Sequence, residues 1–209
     1  MNKQLHVIST GQQSMEEFVR IASKIHKDVD AFHLREKKWT AKELVGVIEA
    51  LMEQGVPLEK IIINDRIDVA HSMKTGGVQL AHHSIDVSLV KKAFPGLQIG
   101  CSVHSLAEAV EVEKKGANRL LYGHIFSTAS KPGMPPRGLK ELEEIIENVK
   151  VPVLAIGGIT PKNVNDVLAT GVEGIAVLSG ILKARDPLDA VLEYREKMRE
   201  RFENHEQPL

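Results

Sequence analysis

The sequence predicts a single (β/α)8 barrel, and three observations carry that expectation. Short apolar runs alternate with longer amphipathic segments eight times, with no linker and no break in the pattern. The short runs are almost continuously apolar, as parallel strands buried on both faces should be. A length of 209 residues with 43% hydrophobic content supplies one sizeable core and leaves little chain for long loops. An open doubly wound sheet is the alternative, although it rarely repeats its unit eight times. The domain is expected to span 1–209, with a polar tail from about residue 203.

The elements follow in order. Leu5 to Ile8 reads as a strand closed by Ser9, Thr10 and Gly11, and Met15 to Lys27 places Met15, Phe18, Val19, Ala22 and Ile25 on one helical face. Ala31 to Leu34 is the second strand. Ala41 to Gln54 is the second helix, with Thr40 as N-cap and Gly55 just past its end. Ile61 to Ile63 is the third strand, followed by a short helix near Asp68 to Lys74. Gly77 to Leu80 and Val87 to Phe94 form the fourth unit, stopped by Pro95-Gly96. Leu97 to Cys101 is the fifth strand, and Ser105-x-x-Glu108 opens its helix with a capping-box pattern. Leu120-Leu121 leads the sixth strand into Gly123-His124, with a helix over Leu139 to Asn148. Val151 to Ile156 and Gly174 to Leu178 are the last two strands, each ending in glycine-bearing turns. Their helices cover Lys162 to Thr170 and a stretch beginning near Pro187.

The formal net charge of -1 offers no general attraction to nucleic acid or an anionic membrane, so any bound anion must be held by a local site. Cys101, the single cysteine, excludes an intramolecular disulfide framework and fits a reducing compartment. The N-terminus lacks the apolar segment of a signal peptide, and no apolar run approaches membrane-spanning length. A soluble cytoplasmic protein is expected.

Active sites of such barrels lie at the C-terminal ends of the strands. A census of those ends gives His33, Arg35 and Lys37; Asn64, Asp65 and Arg66; His82, His83 and Ser84; Ser102 and His104. After the sixth strand come His124, Ser127, Thr128, Ser130 and Lys131, and the last two strands give Gly157, Gly158, Ser179 and Gly180. Glycines there uncover backbone N–H groups and suit a phosphate site, although they also serve simple tight turns. Arg35 and Lys131 are candidate contacts for a carboxylate or second anion, with Ser102, Ser127, Thr128 and Ser130 as hydroxyl partners. A histidine at a rigid strand tip suits proton transfer, which makes His124 the candidate acid/base; capping the strand is its structural alternative. Asp65 alone is a thin basis for magnesium, His82-His83 lacks companion zinc ligands, and Cys101 reads as a small buried hydrophobe, so no metal site is expected.

The runs Leu34-Arg35-Glu36-Lys37, Asn64 to Ala70, Gly100 to Ser105, Ala155 to Ile159 and Gly174 to Ile181 resemble thiamine phosphate synthase over nearly the whole chain. That resemblance implies a (β/α)8 barrel joining a pyrimidine diphosphate to a thiazole phosphate with magnesium. Three positions depart from the family pattern: Ser84 stands in an acidic position, His33 replaces a glutamine, and Gly123-His124 replaces Gly-Pro. The last departure resembles the paralogous thiazole tautomerase of the TenI type. This second resemblance implies an isomerase that aromatises a phosphorylated carboxythiazole without metal or other cofactor. His124 would be its acid/base and Gly157, Gly158, Ser179 and Gly180 its phosphate anchor. Arg35, Ser102, Ser127, Thr128, Ser130 and Lys131 would hold the ring and carboxylate. The alternatives are a magnesium-dependent thiamine phosphate synthase and a non-catalytic regulatory binder of thiazole or thiamine phosphates. No nucleic acid or membrane partner is expected, and a homodimer is open, since barrels of this type often pair.

Overall fold

The computed structural model describes residues 3–203, with side chains to residue 199, and the expected tail from Asn204 onward lies outside the described residues. Eight parallel strands close on themselves in sequence order, β1 pairing with both β2 and β8. The strands are β1 (Gln4–Ile8), β2 (Ala31–Leu34), β3 (Ile61–Asn64), β4 (Gly77–Leu80), β5 (Ile99–Val103), β6 (Arg119–Gly123), β7 (Val153–Ile156) and β8 (Gly174–Val177). Between them run α1 (Met15–Ile25), α2 (Ala41–Glu53), α3 (Ile67–Met73), α4 (Val87–Ala93), α5 (Leu106–Lys114), α6 (Lys140–Asn148) and α7 (Val164–Ala169). A short α8 (Ser179–Leu182) and a long α9 (Pro187–Glu203) end the fold. Closure leaves no strand edge open to another chain.

The period-two alternation of each strand decides what faces where. Leu5, Val7, Phe32, Leu34, Ile61 and Ile63 belong to the large core between strands and helices, where the Phe18 ring of α1 meets Phe32 edge-on at 6.3 Å. Ile8, Leu121, Leu154 and Ala176 form a separate small cluster. At the other end of the strands, the Arg195 guanidinium of α9 donates to the carbonyls of Asp28 and Lys3 and pairs with Asp30, tying the last helix beneath β1.

Two local expectations need correcting, and both affect the site. β5 begins at Ile99, two residues later than expected, because the turn after α4 continues and the Leu97 N–H donates to the Phe94 carbonyl. Ser102 is consequently a strand residue level with Leu121 rather than a loop residue. The capping box at Thr40 is complete, but the one at Ser105 is half formed. Glu108 N–H donates to Ser105 Oγ at 3.2 Å, while its carboxylate accepts from the backbone of His104 at 2.7 Å, fixing that residue at the strand end.

Candidate active site

A cavity of about 1260 Å3 opens at the C-terminal ends of the strands. His124, Gly157, Gly158, Ser179, Gly180, Arg35, Ser102, Ser127, Thr128, Ser130 and Lys131 all line it. Asp65 does not, although its neighbour Asn64 does.

On the β7–β8 side, Gly157 and Gly158 have φ of 101° and 66°, in the left-handed region that favours glycine. A Cβ on Gly157 would lie 2.3 Å from His124 Cβ, and one on Gly158 would lie 2.6 Å from the Ser127 carbonyl oxygen. These glycines let the β7 turn lie directly against the β6 loop, whatever they bind. Ile125 N–H donates to the Ile156 carbonyl and Phe126 N–H to that of Gly157, at 2.9 and 3.0 Å. Ser179 and Gly180 start α8, where first-turn N–H groups have no intrahelical acceptor. Tyr194 of α9 supports this rim from behind, its hydroxyl donating to the Ile159 carbonyl at 2.8 Å.

The β6 loop is drawn in at its neck, where Arg137 N–H donates to the His124 carbonyl and Gly138 N–H to that of Ile125, at 3.0 and 3.1 Å. His124 is 3% exposed, and its Nε2 lies 3.3 Å from the Met134 carbonyl oxygen. A carbonyl can only accept, so Nε2 carries the proton. Nδ1 is buried and without a partner in the described structure.

Three cations gather on the same side. Burial holds the Lys131 ammonium below its ordinary pKa, and the nearby charges of Arg137 and Arg35 depress it further. His104 is likewise lowered, first by burial and then by Lys131, with Glu108 opposing. Ser9 Oγ, at the end of β1, accepts the Arg35 backbone N–H at 2.8 Å and so fixes where that side chain starts. Clustered positive charge at a partly enclosed cavity concentrates anions. Arg137 escaped the sequence reading because it comes after two prolines, in what resembles a solvated loop. Its lining position and the buried, unpartnered Nε mark it as part of the cavity.

The floor is polar on one side. His6, His33 and Gln79 are buried, and Gln79 Nε2 donates to Ser102 Oγ at 3.1 Å. Cys101 is buried and its thiol is pushed up to about 12, mainly by desolvation, so it stays protonated and unreactive.

Of the magnesium site that the family resemblance implies, this chain keeps one carboxylate, Asp65, with Ser84 at the other acidic position. Among the described residues no cluster of three acidic, histidine or cysteine side chains could hold a metal. Asp65 faces His83 at 3.6 Å, and Ser84 uses its hydroxyl to accept the Ala81 N–H at 2.8 Å.

Fold and cavity together define a (β/α)8 barrel whose strand ends form an anion-attracting site. A family model described as thiamine monophosphate synthase matches residues 5–181, and the chain belongs to that family. It is 36% identical over 200 residues to the thiamine-phosphate synthase of Pyrococcus furiosus, covering 95% of this chain and 97% of that one. Identity is also 36% over 197 residues to the enzyme of the same name from Pyrococcus abyssi, covering 94% and 95%. The solved structure of a thiamine phosphate pyrophosphorylase from Pyrococcus furiosus superposes with a TM-score of 0.81 at 36% identity, covering 95% and 96% of the two chains.

These relatives overturn the tautomerase expectation, and with it the class of isomerase. That reading weighed the single Gly123-His124 replacement above a likeness running the length of the chain. The geometry gives His124 another use: its Nε2 proton is committed to the Met134 carbonyl, which ties the β6 loop over the cavity.

Proposed function

We propose that this chain is an enzyme of thiamine biosynthesis, a transferase of the thiamine-phosphate synthase type. It would join an aminopyrimidine methyl diphosphate to a thiazole phosphate. The observation that supports this most is the placing of Arg35, Lys131 and Arg137 around the cavity that the glycine-bearing β7–β8 rim also lines. A diphosphate leaving group carries several negative charges and needs such a cluster, whereas one phosphate ester is served by backbone N–H groups.

The thiazole nitrogen lone pair forms a bond to the pyrimidine methylene carbon while the carbon–oxygen bond to the diphosphate breaks. The electron pair leaves on that oxygen, and no proton is lost because the attacking nitrogen carries none. Arg35, Lys131 and Arg137 stabilise the charge that grows on the departing oxygens. Gly158, Ser179 and Gly180 hold the thiazole phosphate, while Ser127, Thr128 and Ser130 supply hydroxyl donors from the loop above. Holding both reactants at the near-attack distance converts a bimolecular encounter into a local one.

Pyrophosphate release in magnesium-containing buffer tests the reading. The protein should release pyrophosphate only with both substrates present, and Lys131→Ala should lower kcat/KM by about a hundredfold while leaving the folded baseline unchanged. No release from the wild-type protein at saturating substrates would dismiss the transferase.

A further inference from the structure

On the loops after β3 and β4, at the mouth of the cavity, stands a carboxylate–imidazole pair that the transfer step as written does not use. Asp65 Oδ2 lies 3.6 Å from His83 Nε2. That is longer than an N–H···O hydrogen bond of about 2.7–3.2 Å. Both side chains reach solvent, and no side-chain hydrogen bond to another described residue occupies either of them. The imidazole lone pair and the carboxylate oxygens are therefore both available to a ligand.

The fold holds this pair in place from both sides. Asp65 has φ of 63°, a left-handed conformation that aspartate tolerates better than most residues but still at a cost. Its backbone N–H donates to the Gln79 carbonyl at 2.9 Å, so β4 keeps it there. Backbone strain maintained by its surroundings concentrates at functional positions. His83 is backed by His82, whose ring meets it edge-on at 5.1 Å, and His82 in turn stands 6.5 Å from the His104 ring. All three histidines line the cavity. At the position of a second carboxylate stands Ser84, whose hydroxyl accepts the Ala81 N–H at 2.8 Å.

A carboxylate beside an imidazole is a different donor set from two carboxylates. Magnesium takes oxygen ligands and gives up water reluctantly, whereas first-row transition ions gain from a nitrogen donor. Two protein ligands are too few to hold such an ion alone, in keeping with the lack of a three-residue metal cluster among the described residues. We propose that Asp65 and His83 together hold a divalent ion, preferring manganese or cobalt to magnesium, and do so only when a diphosphate supplies further oxygens. The diphosphate rests on the transferase reading, and Arg35, Lys131 and Arg137 line the same cavity to draw that anion in.

Pulsed electron paramagnetic resonance, with manganese as probe and inorganic pyrophosphate as the anion, reads the ligands without turnover. Wild-type protein should bind manganese with pyrophosphate present and not without it, and the bound ion should show nitrogen coupling. His83→Phe should remove that coupling, while His82→Phe should keep it. Asp65→Asn should weaken manganese binding about tenfold. His83→Asp, which exchanges the nitrogen for an oxygen, should shrink the preference for manganese over magnesium about tenfold. Manganese held without nitrogen coupling would overturn the proposal, as would coupling that survives His83→Phe or an unchanged preference in His83→Asp. Pyrophosphate that binds and recruits no manganese would overturn it while leaving the anion site of the transferase reading standing. No pyrophosphate binding in titration calorimetry would strike both.

Discussion

The interior of this barrel has two unlike halves. From β6 round to β8 and the end of β1, Leu121, Leu154, Ala176 and Ile8 pack against one another, with Ile156 and Leu178 partly buried beside them. From the start of β1 to β5 the corresponding positions hold His6, His33, Asn64, Gln79 and Ser102, two of them, His33 and Gln79, with a buried polar atom left unpaired. The apolar half resembles an ordinary packed core, whereas the polar half retains hydrogen-bonding capacity that the protein itself does not consume. Buried polar atoms without partners are unfavourable for stability and concentrate where a ligand completes them. The contrast teaches that the cavity floor offers apolar surface on one side, from Ile8, Leu121 and Ala176, and hydrogen-bonding groups on the other.

Replacing residues on the two sides should separate their contributions. Leu154→Ala leaves a cavity among fully buried neighbours and should cost about 3 kcal/mol in urea unfolding, because the surrounding strands relax only partly. Comparable losses on mutating Gln79 or Ser102 would break the contrast.

Acid should act through the polar half. His6 is lowered to about 3 and His33 also lies well below the ordinary histidine value, so both are neutral when folded and take up protons readily when unfolded. Their contribution is present above the unfolded value of about 6.5 and is lost as pH falls towards the folded values. Each should lower stability by up to about 1.4 kcal/mol per pH unit in that window. Unfolding followed from about pH 7 to pH 4 should show this slope, and His6→Phe combined with His33→Leu should flatten it.

The smallest expected effect lies at the phosphate side of the rim. Tyr194→Phe removes the hydrogen bond to the Ile159 carbonyl and should cost about 1 kcal/mol. It should weaken binding of the thiazole phosphate more than that of pyrophosphate. An equal effect on both anions would argue against two separate stations.

Much of the fold was legible in the sequence, because eight strand-helix units are written as hydrophobic periodicity and that signal survives shifts of a residue or two. The β5 shift shows its limit: Leu97 is buried and apolar, but the turn after Pro95-Gly96 uses its N–H, which periodicity does not record. The strand-end glycines and hydroxyls were visible as candidates since barrel topology alone sends them to one rim. Their close contacts were not visible, and Gly157 is small because His124 lies against it. Arg137 depends on long-range packing between elements, so no local pattern marked it. His124 misled for the converse reason: a conspicuous residue type at a strand tip suggested chemistry, while its Nε2 was committed to a loop carbonyl.

The most direct test is a phosphorus NMR time course with the protein, the aminopyrimidine methyl diphosphate and the thiazole phosphate in one tube. A transferase consumes the diphosphate ester and the thiazole phosphate together, and thiamine phosphate and free pyrophosphate appear in equal amounts. Unchanged spectra over many enzyme equivalents, or hydrolysis of the diphosphate without thiamine phosphate, would contradict it.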